Sequence, residues 1–380
     1  MLRRMRTLTV SGTPRRTPSR HHPRGVPVSE TPVQLLSPDG ELTDHPDHPL
    51  DVDAPLVRDL LRRMVLARRL DEEALHLQRQ GELGLWLQCR GQEAAQVGAV
   101  TALDDRDRIF PSYREHAAAL CRGIPPAGLL SQWRGCSAAG WDPDEHRFGV
   151  YTLVLAAQLL HAVGYAMGVQ RDGADEIVMA CLGDGAASEG DASEALNWAA
   201  TTSAPVLFLC QNNQFAISTP ARLQQRAPLH QRARGFGVDA HLVDGNDVLA
   251  VHAVTATAAA AVRSGSGPVL VEALTYRMGG HSSSDDPSRY RDDAELAGWT
   301  ARDPITRVER LLGRRGWTDT AFSDELRRES DELAAQVRAD CLALAAPGID
   351  SVFAHVLAGG SATVDAERSA HAAYAASFLD

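Results

Sequence analysis

Apolar residues recur at helical spacing along an early segment of the chain, between Pro55 and Gln80. The apolar positions are Leu56, Leu60, Leu61, Met64, Leu66, Leu70, Ala74 and Leu77. Because residues three or four apart lie on one face of a helix, this pattern predicts a long amphipathic helix, which Gly81 ends. A second helix is predicted from about Gln92 to Leu103.

The middle of the chain alternates short apolar runs with helical segments. The apolar runs are EIVMACLGDG at 176–185, APVLFLCQNN at 204–213 and GPVLVEALTYR at 267–277, and DASEALNWAATTS at 191–203 has a helical pattern. Continuous apolar runs separated by helices are typical of parallel strands that are buried on both faces. The sequence therefore predicts an α/β fold, a doubly wound, mostly parallel sheet with helices on both faces.

Three parts of the chain differ in composition and pattern. Residues 1–54 are rich in Arg, Pro and Asp and are predicted to be a disordered or irregular N-terminal arm. Residues 55–345 form the predicted α/β domain, which begins with a helix and ends in charged outer helices from Asp303 onward. Residues 346–380 form a C-terminal tail that is rich in Ala and Ser from Gly359, and the pattern does not place it.

Charge and cysteine usage narrow the class of protein. The formal net charge is −11, which argues against a nucleic-acid partner, and all 38 basic residues are Arg. No apolar run approaches the roughly 18 residues that span a bilayer, so a membrane partner is not expected either. The six cysteines are scattered without metal-ligand spacing, as in a reduced cytoplasmic protein. The first 25 residues are Arg-rich and lack acids, like a transit peptide, but we favour a disordered tail.

The candidate chemistry lies where two of the predicted strands end. Gly183-Asp184-Gly185 is followed by 26 residues and then by Asn212-Asn213, a spacing that suits a helix plus the next strand. Ligands of open α/β sheets bind beyond the carboxyl ends of the strands. A carboxylate and an amide oxygen at this edge suit Mg²⁺, and a diphosphate-bearing cofactor needs such a cation to screen its charge. The flanking glycines allow the backbone to come close to the ligand. Gly-Asp-Gly alone is also a common turn, so the strands on both sides carry this interpretation.

Several further stretches occur in the order found in one known family. They are RRLDEEALHLQRQGELG, FPSYREHAAAL, GDGAASEGDASEALNWAA, NNQFAIST, VDGNDVLAV and YRMGGHSSSDDPSRYR. With the motif at Asp184, they make the chain resemble the alpha subunits of thiamine-diphosphate-dependent 2-oxo acid dehydrogenases, of the branched-chain type. The resemblance runs from about Leu56 to Tyr290. It implies the thiamine-diphosphate-binding fold, with thiamine diphosphate and Mg²⁺ as cofactors.

The resemblance assigns roles to individual residues at the diphosphate end. The implied metal ligands are Asp184, Asn213 and the main-chain oxygen of Phe215. The implied cofactor-binding residues are Tyr113, Arg114, Leu153, Leu155, Asp184, Gly185, Ala186, Gln211, Asn213 and His281. Arginine suits this role because its guanidinium can grip phosphate oxygens with two hydrogen bonds.

His281 and Arg277 are the implied catalytic residues. His281 matches the family's active-site histidine on a mobile loop, where it handles a proton during acyl transfer. Arg277 is expected to order that loop together with Asp285, Tyr290 and Arg291. Ser282 matches a serine that is phosphorylated in mitochondrial relatives, and the sequence does not indicate whether that regulation applies here.

Three departures from the family pattern bear on the site. Gln211 stands where animal relatives carry Arg, which predicts one weaker diphosphate contact. Phe215 replaces a common Tyr, with little consequence if only its carbonyl binds metal. VYTLVLAAQLLHAVG, at 150–164, replaces a version containing Ser-Pro, which leaves the preferred acyl chain open.

The resemblance also implies partners and a reaction. The implied enzyme is 3-methyl-2-oxobutanoate dehydrogenase, which oxidatively decarboxylates small-molecule 2-oxo acids and transfers the acyl group to a lipoyl-bearing acyltransferase component. Thiamine enzymes need a glutamate that activates the aminopyrimidine ring from a second domain of similar fold, and the sequence indicates one such domain. A beta subunit is therefore expected to supply the pyrimidine-side domain and the glutamate, in a heterotetramer.

Two other functions remain open at this level. The chain could be a pyruvate or acetoin dehydrogenase alpha subunit, since the motifs are shared and one methylene changes binding by only about 1–3 kcal/mol. It could also be a non-catalytic subunit that binds thiamine diphosphate or serves assembly. A nicotinamide-binding protein is disfavoured because no G-x-G-x-x-G opens a helix after a strand.

Overall fold

A parallel sheet of five strands forms the centre of the protein, in the order Arg108–Phe110 (β1), Val178–Gly183 (β2), Val206–Asn212 (β3), Val269–Leu274 (β7) and Asp239–Asp244 (β6). The structure, a computed structural model, describes residues 31–378. The strands are β1 Arg108–Phe110, β2 Val178–Gly183, β3 Val206–Asn212, β4 Phe215–Ala216, β5 Thr219–Pro220, β6 Asp239–Asp244 and β7 Val269–Leu274. Strands β4 and β5 pair with each other as a small antiparallel hairpin.

Helices precede, separate and follow these strands. They are α1 Ala54–Arg79, α2 Glu93–Thr101, α3 His116–Cys121, α4 Pro126–Trp133, α5 Ala157–Asp172, α6 Gly190–Thr202, α7 Ala221–Gln224, α8 Leu229–Gly235, α9 Val248–Arg263, α10 Asp293–Thr300, α11 Pro304–Arg315, α12 Thr320–Ala343, α13 Ile349–Phe353 and α14 Ala362–Ala376. Among residues 31–378, none of them is long and apolar enough to cross a membrane. All six cysteines are unpaired.

The first predicted helix is confirmed within one residue at each end. Asp53 caps helix α1 by accepting a hydrogen bond from Leu56 N at 2.9 Å, and Pro55 lies in its first turn, where a missing N–H costs nothing. Gly81, with φ of +83°, follows its end. Its apolar face is buried against the core, and helix α12 packs along it.

Alternate residues of the central strands face two separate cores, which is why the apolar runs are continuous. Met179 and Cys181 belong to the core shared with helices α1, α2 and α9, whereas Val178 and Ala180 belong to the core shared with α5, α6 and α8. The predicted doubly wound α/β fold, with helices on both faces and at both ends, is confirmed. Strands β2 and β3 are neighbours, and Gly183 pairs in register with Gln211.

The N-terminal arm has no helix or regular strand in residues 32–53. It bridges the edge of the sheet where Val33 pairs with Val243, and it turns back on itself where Leu36 pairs with Leu42. The rest of the predicted arm, residues 1–30, lies outside the described residues. The unplaced C-terminal tail contains helices α13 and α14, which pack against each other.

Asp247 fixes the arm to the domain. Its Oδ2 atom accepts hydrogen bonds from Leu35 N at 2.7 Å and Leu36 N at 2.6 Å. Its Oδ1 atom accepts from Leu249 N and Ala250 N, both at 3.0 Å, and so caps helix α9. One buried carboxylate therefore satisfies the main-chain donors of two segments.

Replacing Asp247 with Ala should destabilise the protein by about 3 kcal/mol, because a helix cap is lost and buried N–H groups lose their acceptor. Urea denaturation followed by circular dichroism measures the loss. Asp292→Ala is the control, since Asp292 caps helix α10 at an exposed position and accepts a single main-chain hydrogen bond from Ala294. Equal losses in the two variants would contradict a role for Asp247 in holding the arm.

Candidate active site

A cavity of about 390 Å³ opens at the carboxyl ends of strands β2 and β3. Its walls come from these strand ends, from the segment before helix α3, from the hairpin β4–β5 and from the segment after β7. The predicted site residues in its wall are Tyr113, Arg114, Leu155, Asp184, Gly185, Ala186, Gln211, Asn213, Phe215, Arg277 and His281. Leu153 does not line this cavity, and 54% of its surface is exposed.

Asp184 lies buried in the wall of this cavity, with 2% of its surface exposed. Its Oδ1 atom accepts from Asn213 N at 3.3 Å, and its Oδ2 atom accepts from Gln224 Nε2 at 3.1 Å. Burial raises the pKa of Asp184 to about 6, and the hydrogen bond from Gln224 lowers it in part. A buried carboxylate held by neutral donors would gain from a bound cation.

Asn213 and Phe215 offer further oxygen atoms beside Asp184. The Asn213 amide donates from Nδ2 to Gln92 Oε1 at 3.0 Å, which identifies Oδ1 as the acceptor atom of that amide. Oδ1 accepts a hydrogen bond from Phe215 N at 3.3 Å. The Phe215 carbonyl has a long contact of 3.5 Å with Arg277 Nη1. One carboxylate, one amide and one carbonyl fit Mg²⁺ that also binds diphosphate and water.

Metal sites of another class are built from several charged or sulfur ligands. No group of three or more His, Cys, Asp or Glu side chains suited to a metal ion occurs within residues 31–378. The oxygen set around Asp184 contains a single acidic side chain, so it lies outside that class of site. It would require ligand oxygens from a bound diphosphate to complete the shell of a divalent cation.

Glycine is required at position 185 because of the hairpin opposite it. A Cβ atom placed there would lie 2.8 Å from Ala216 Cβ. Ala186 then begins a single 3-10 turn, Ala186–Ser188, which leads into helix α6. The main chain after Asp184 thus passes directly along the cavity wall.

Arg114 is buried in the cavity wall and donates hydrogen bonds to main-chain oxygens. Its guanidinium donates to Gln88 O and, at 2.9 Å, to His281 O. The guanidinium carbon lies 5.6 Å from the centre of the Tyr113 ring. Because these acceptors are neutral main-chain oxygens, they hold the Arg114 guanidinium in place and leave its positive charge available to an anion.

Gln211 lines the cavity, but its amide is bonded to buried protein groups. Its Nε2 donates to Glu115 Oε1 at 2.7 Å, and its Oε1 accepts from Gln96 Nε2 at 2.9 Å. Burial raises the pKa of Glu115. Gln211 therefore links helix α2 and the Arg114 segment, and this use of both amide atoms limits what it can offer a diphosphate.

The segment that carries His281 is ordered by four polar side chains. Asp285 Oδ2 accepts from His281 N at 2.7 Å and from the Tyr290 hydroxyl. Arg277 donates to that hydroxyl at 2.8 Å and to Ile217 O at 2.6 Å. Arg291 donates to the main-chain oxygens of 277, 278 and 279. Arg277 thus joins the His281 segment to the hairpin β4–β5.

Two guanidiniums flank the His281 ring. Arg114 Nη2 and Arg277 Nη1 each lie 3.5 Å from its Nδ1 atom. Burial and these two positive charges lower the pKa of His281 to about 4, and Asp285 opposes them in part. His281 is therefore neutral near pH 7, with Nδ1 as acceptor and the proton on Nε2.

The sequence motifs did not predict several residues that support this site. Gln92 and Gln224 orient Asn213 and Asp184. Trp86 exchanges two hydrogen bonds with Ser283 of the His281 segment, at 2.8 Å and 3.1 Å. Asp71 Oδ1 accepts a hydrogen bond from the Trp86 indole at 2.8 Å. Burial raises the pKa of Asp71 to about 7. None of these residues lies in a motif that carries chemistry by itself, so only the folded chain brings them to the site.

Comparison with known proteins identifies the family of this chain. Residues 61–341 match the dehydrogenase E1 component family, which is more than half of the 380 residues. The chain belongs to this family.

Relatives with assigned names refine the family. The 3-methyl-2-oxobutanoate dehydrogenase subunit alpha of Mycobacterium tuberculosis (strain ATCC 25618 / H37Rv) is 43% identical over 342 residues, 90% of this chain and 93% of that protein. The pyruvate dehydrogenase E1 component subunits alpha of Staphylococcus epidermidis (strain ATCC 35984) and Staphylococcus aureus (strain Mu50) are each 35% identical over 309 residues, 80% of this chain and 83% of those proteins. The predicted resemblance to branched-chain alpha subunits is confirmed.

In the cofactor-free protein, His281 should stay neutral down to about pH 4, because its folded pKa lies below the ordinary value of 6.5. Replacing Arg277 with Gln should raise this pKa, since one flanking charge is removed. Nuclear magnetic resonance of labelled histidines measures both titrations. Arg289→Gln removes an equal charge from an exposed residue nearby and should leave the titration in place. A midpoint near 6.5 in the unmodified protein would contradict the proposed electrostatics.

Proposed function

We propose that this chain is the alpha subunit of a branched-chain 2-oxo acid dehydrogenase that uses thiamine diphosphate and Mg²⁺. The observation that carries the proposal is the convergence of Asp184, Asn213, Arg114 and His281 around one cavity. These residues come from separate segments of the chain. A non-catalytic binding or assembly subunit would need the metal and diphosphate residues but not a neutral histidine between two guanidiniums.

The diphosphate end of the cofactor belongs at the inner end of this cavity. Asp184, the Asn213 amide oxygen and the Phe215 carbonyl would hold Mg²⁺, and Arg114 would grip a phosphate oxygen beside Tyr113. The main chain at Gly185 and Ala186 would approach the diphosphate closely. Thiamine diphosphate, when bound, supplies the carbon nucleophile and the electron sink for decarboxylation of the 2-oxo acid.

His281 then serves as a proton donor and acceptor beside the diphosphate. A bound dianion would offset the charges of Arg114 and Arg277, so the pKa of His281 would move up toward neutral pH. The Nε2 proton of a ring in that range can be given and taken back during acyl transfer to a lipoyl group. Arg277 positions the ring, since its guanidinium is already bonded to Ile217 O and Tyr290.

Apolar side chains at the mouth of the cavity mark the surface for the beta subunit. Val154 is 71% exposed, and Leu153 and Leu155 beside it are also exposed. Ile217 of the hairpin and Leu223 of helix α7 are exposed too, and both Leu155 and Ile217 line the cavity. Clustered exposed apolar residues mark interaction surfaces in soluble proteins. We propose that a beta subunit covers them and supplies the pyrimidine-side domain with its glutamate, and that the lipoyl domain of an acyltransferase component approaches the same mouth.

Branched 2-oxo acids are favoured over pyruvate by the comparisons. The branched-chain relative is 43% identical to this chain, whereas the pyruvate relatives are 35% identical. The wall of the cavity also includes the apolar side chains of Leu155, Leu182 and Ile217. A pyruvate dehydrogenase alpha subunit is the second candidate, because it would use the same diphosphate residues.

Carbon dioxide release from 3-methyl-2-oxobutanoate should require this chain, a beta subunit, thiamine diphosphate and Mg²⁺ together. An artificial electron acceptor allows the step to be measured without the acyltransferase, with pyruvate as the competing substrate. Faster turnover of the branched acid is the expected result. Turnover mainly of pyruvate would transfer the assignment to the second candidate, and turnover without a beta subunit would contradict the shared site.

His281→Ala should slow acyl transfer to a lipoyl domain more than it slows decarboxylation, because the proton relay is lost while the diphosphate site remains. Reductive acylation of the lipoyl domain and carbon dioxide release are measured side by side. His355→Ala, at an exposed histidine far along the chain, is the control. Equal loss of both rates, or of neither, would count against the role given to His281.

A further inference from the structure

Gln224 is the last residue of the short helix α7, and its side chain reaches back to the metal carboxylate. Its Nε2 atom donates to Asp184 Oδ2 at 3.1 Å and to Thr219 O at 2.9 Å. Both partners are acceptors, so only the nitrogen of the amide can face them. This orientation is fixed by chemistry as well as by the fold.

The two oxygens of Asp184 are consequently not equivalent. Oδ2 has a side-chain donor at 3.1 Å, whereas Oδ1 has a main-chain contact from Asn213 N at the longer distance of 3.3 Å. The Gln224 hydrogen bond also limits rotation of the carboxylate. Oδ1, which has the longer contact, is therefore the oxygen that we assign to a cation.

Magnesium and calcium differ in how they use a carboxylate. Mg²⁺ requires near-octahedral coordination by single oxygens at short distances and keeps bound water, whereas Ca²⁺ accepts both oxygens of one carboxylate and more ligands. Resting on the proposed function, we propose that Gln224 is a positioning residue that makes Asp184 a one-oxygen ligand and so selects Mg²⁺ over Ca²⁺.

The other end of the Gln224 amide fits the same role. Its Oε1 atom is buried and has no hydrogen-bond donor within residues 31–378. It lies beside Gly185, where an added Cβ atom would be 3.9 Å from it. A water retained by Mg²⁺ is a donor that suits this acceptor, since buried acceptors without partners are costly.

A purely structural role for Gln224 makes a different prediction. Its bond to Thr219 O ties helix α7 to the hairpin β4–β5, which carries Phe215. If that link were its whole function, its loss would weaken binding of every divalent cation alike. Metal selectivity therefore separates the two roles, and it does not depend on turnover.

The test measures thiamine diphosphate binding by calorimetry at varied Mg²⁺ and, separately, Ca²⁺, using the full chain assembled with its beta subunit. Gln224→Leu should raise the Mg²⁺ concentration needed for half-maximal binding by about 10- to 100-fold, the range usual for residues that orient metal ligands, and that for Ca²⁺ much less. Gln224→Met, which has a similar length and no donor for Asp184, should lower the preference for Mg²⁺ as well. Arg222→Lys, which keeps the charge of an exposed neighbour on helix α7, is the control.

Melting temperatures near that of the unmodified protein would establish that the variants fold. A lower ratio of Mg²⁺ to Ca²⁺ affinity in both variants supports the proposal. Equal weakening for the two metals, or no change, overturns it and leaves the proposed function intact. Absence of metal-dependent binding in the unmodified protein would instead contradict the proposed cofactor, and the role of Gln224 with it.

Discussion

Burial of the Asp184 carboxylate at the end of strand β2 is the constraint on which the rest of the site depends. Removing a charge from water is costly unless it is compensated, and here the nearest donors are the neutral groups of Asn213 and Gln224. The sheet provides the position, because parallel strands β2 and β3 end side by side and bring Asp184 next to Asn213. A bound cation would offset this cost, so metal binding would stabilise the folded site.

Two buried positive charges line the same cavity as that carboxylate. Arg114 and Arg277 are both buried, and both contact Nδ1 of His281, whose pKa is held low. The cavity wall therefore carries a buried carboxylate and two buried guanidiniums. Under the proposed function, a metal-bound diphosphate would interact with both, and it would bring His281 into the range where a proton can move.

The sequence predicted the elements and residues that follow from local hydrophobic and polar patterns. Helix α1 and strands β2, β3 and β7 followed from apolar spacing, and the carboxyl edge followed from Asp184 and Asn213. Strand β6, Asp239–Asp244, was missed because an edge strand is only partly buried and its residues alternate weakly. Gln224, Gln92 and Trp86 were missed because their partners are distant in the chain, so only the folded backbone reveals them. Leu153, expected at the cofactor, lies outside the cavity wall.

The most direct test of this account is a crystal structure of the chain assembled with its beta subunit, thiamine diphosphate and Mg²⁺. We expect the metal within coordination distance of Asp184, Asn213 and the Phe215 carbonyl. The diphosphate should lie between that metal and Arg114, and the ring end of the cofactor should point to the partner. A diphosphate bound elsewhere, or a metal without contact to Asp184, would contradict it.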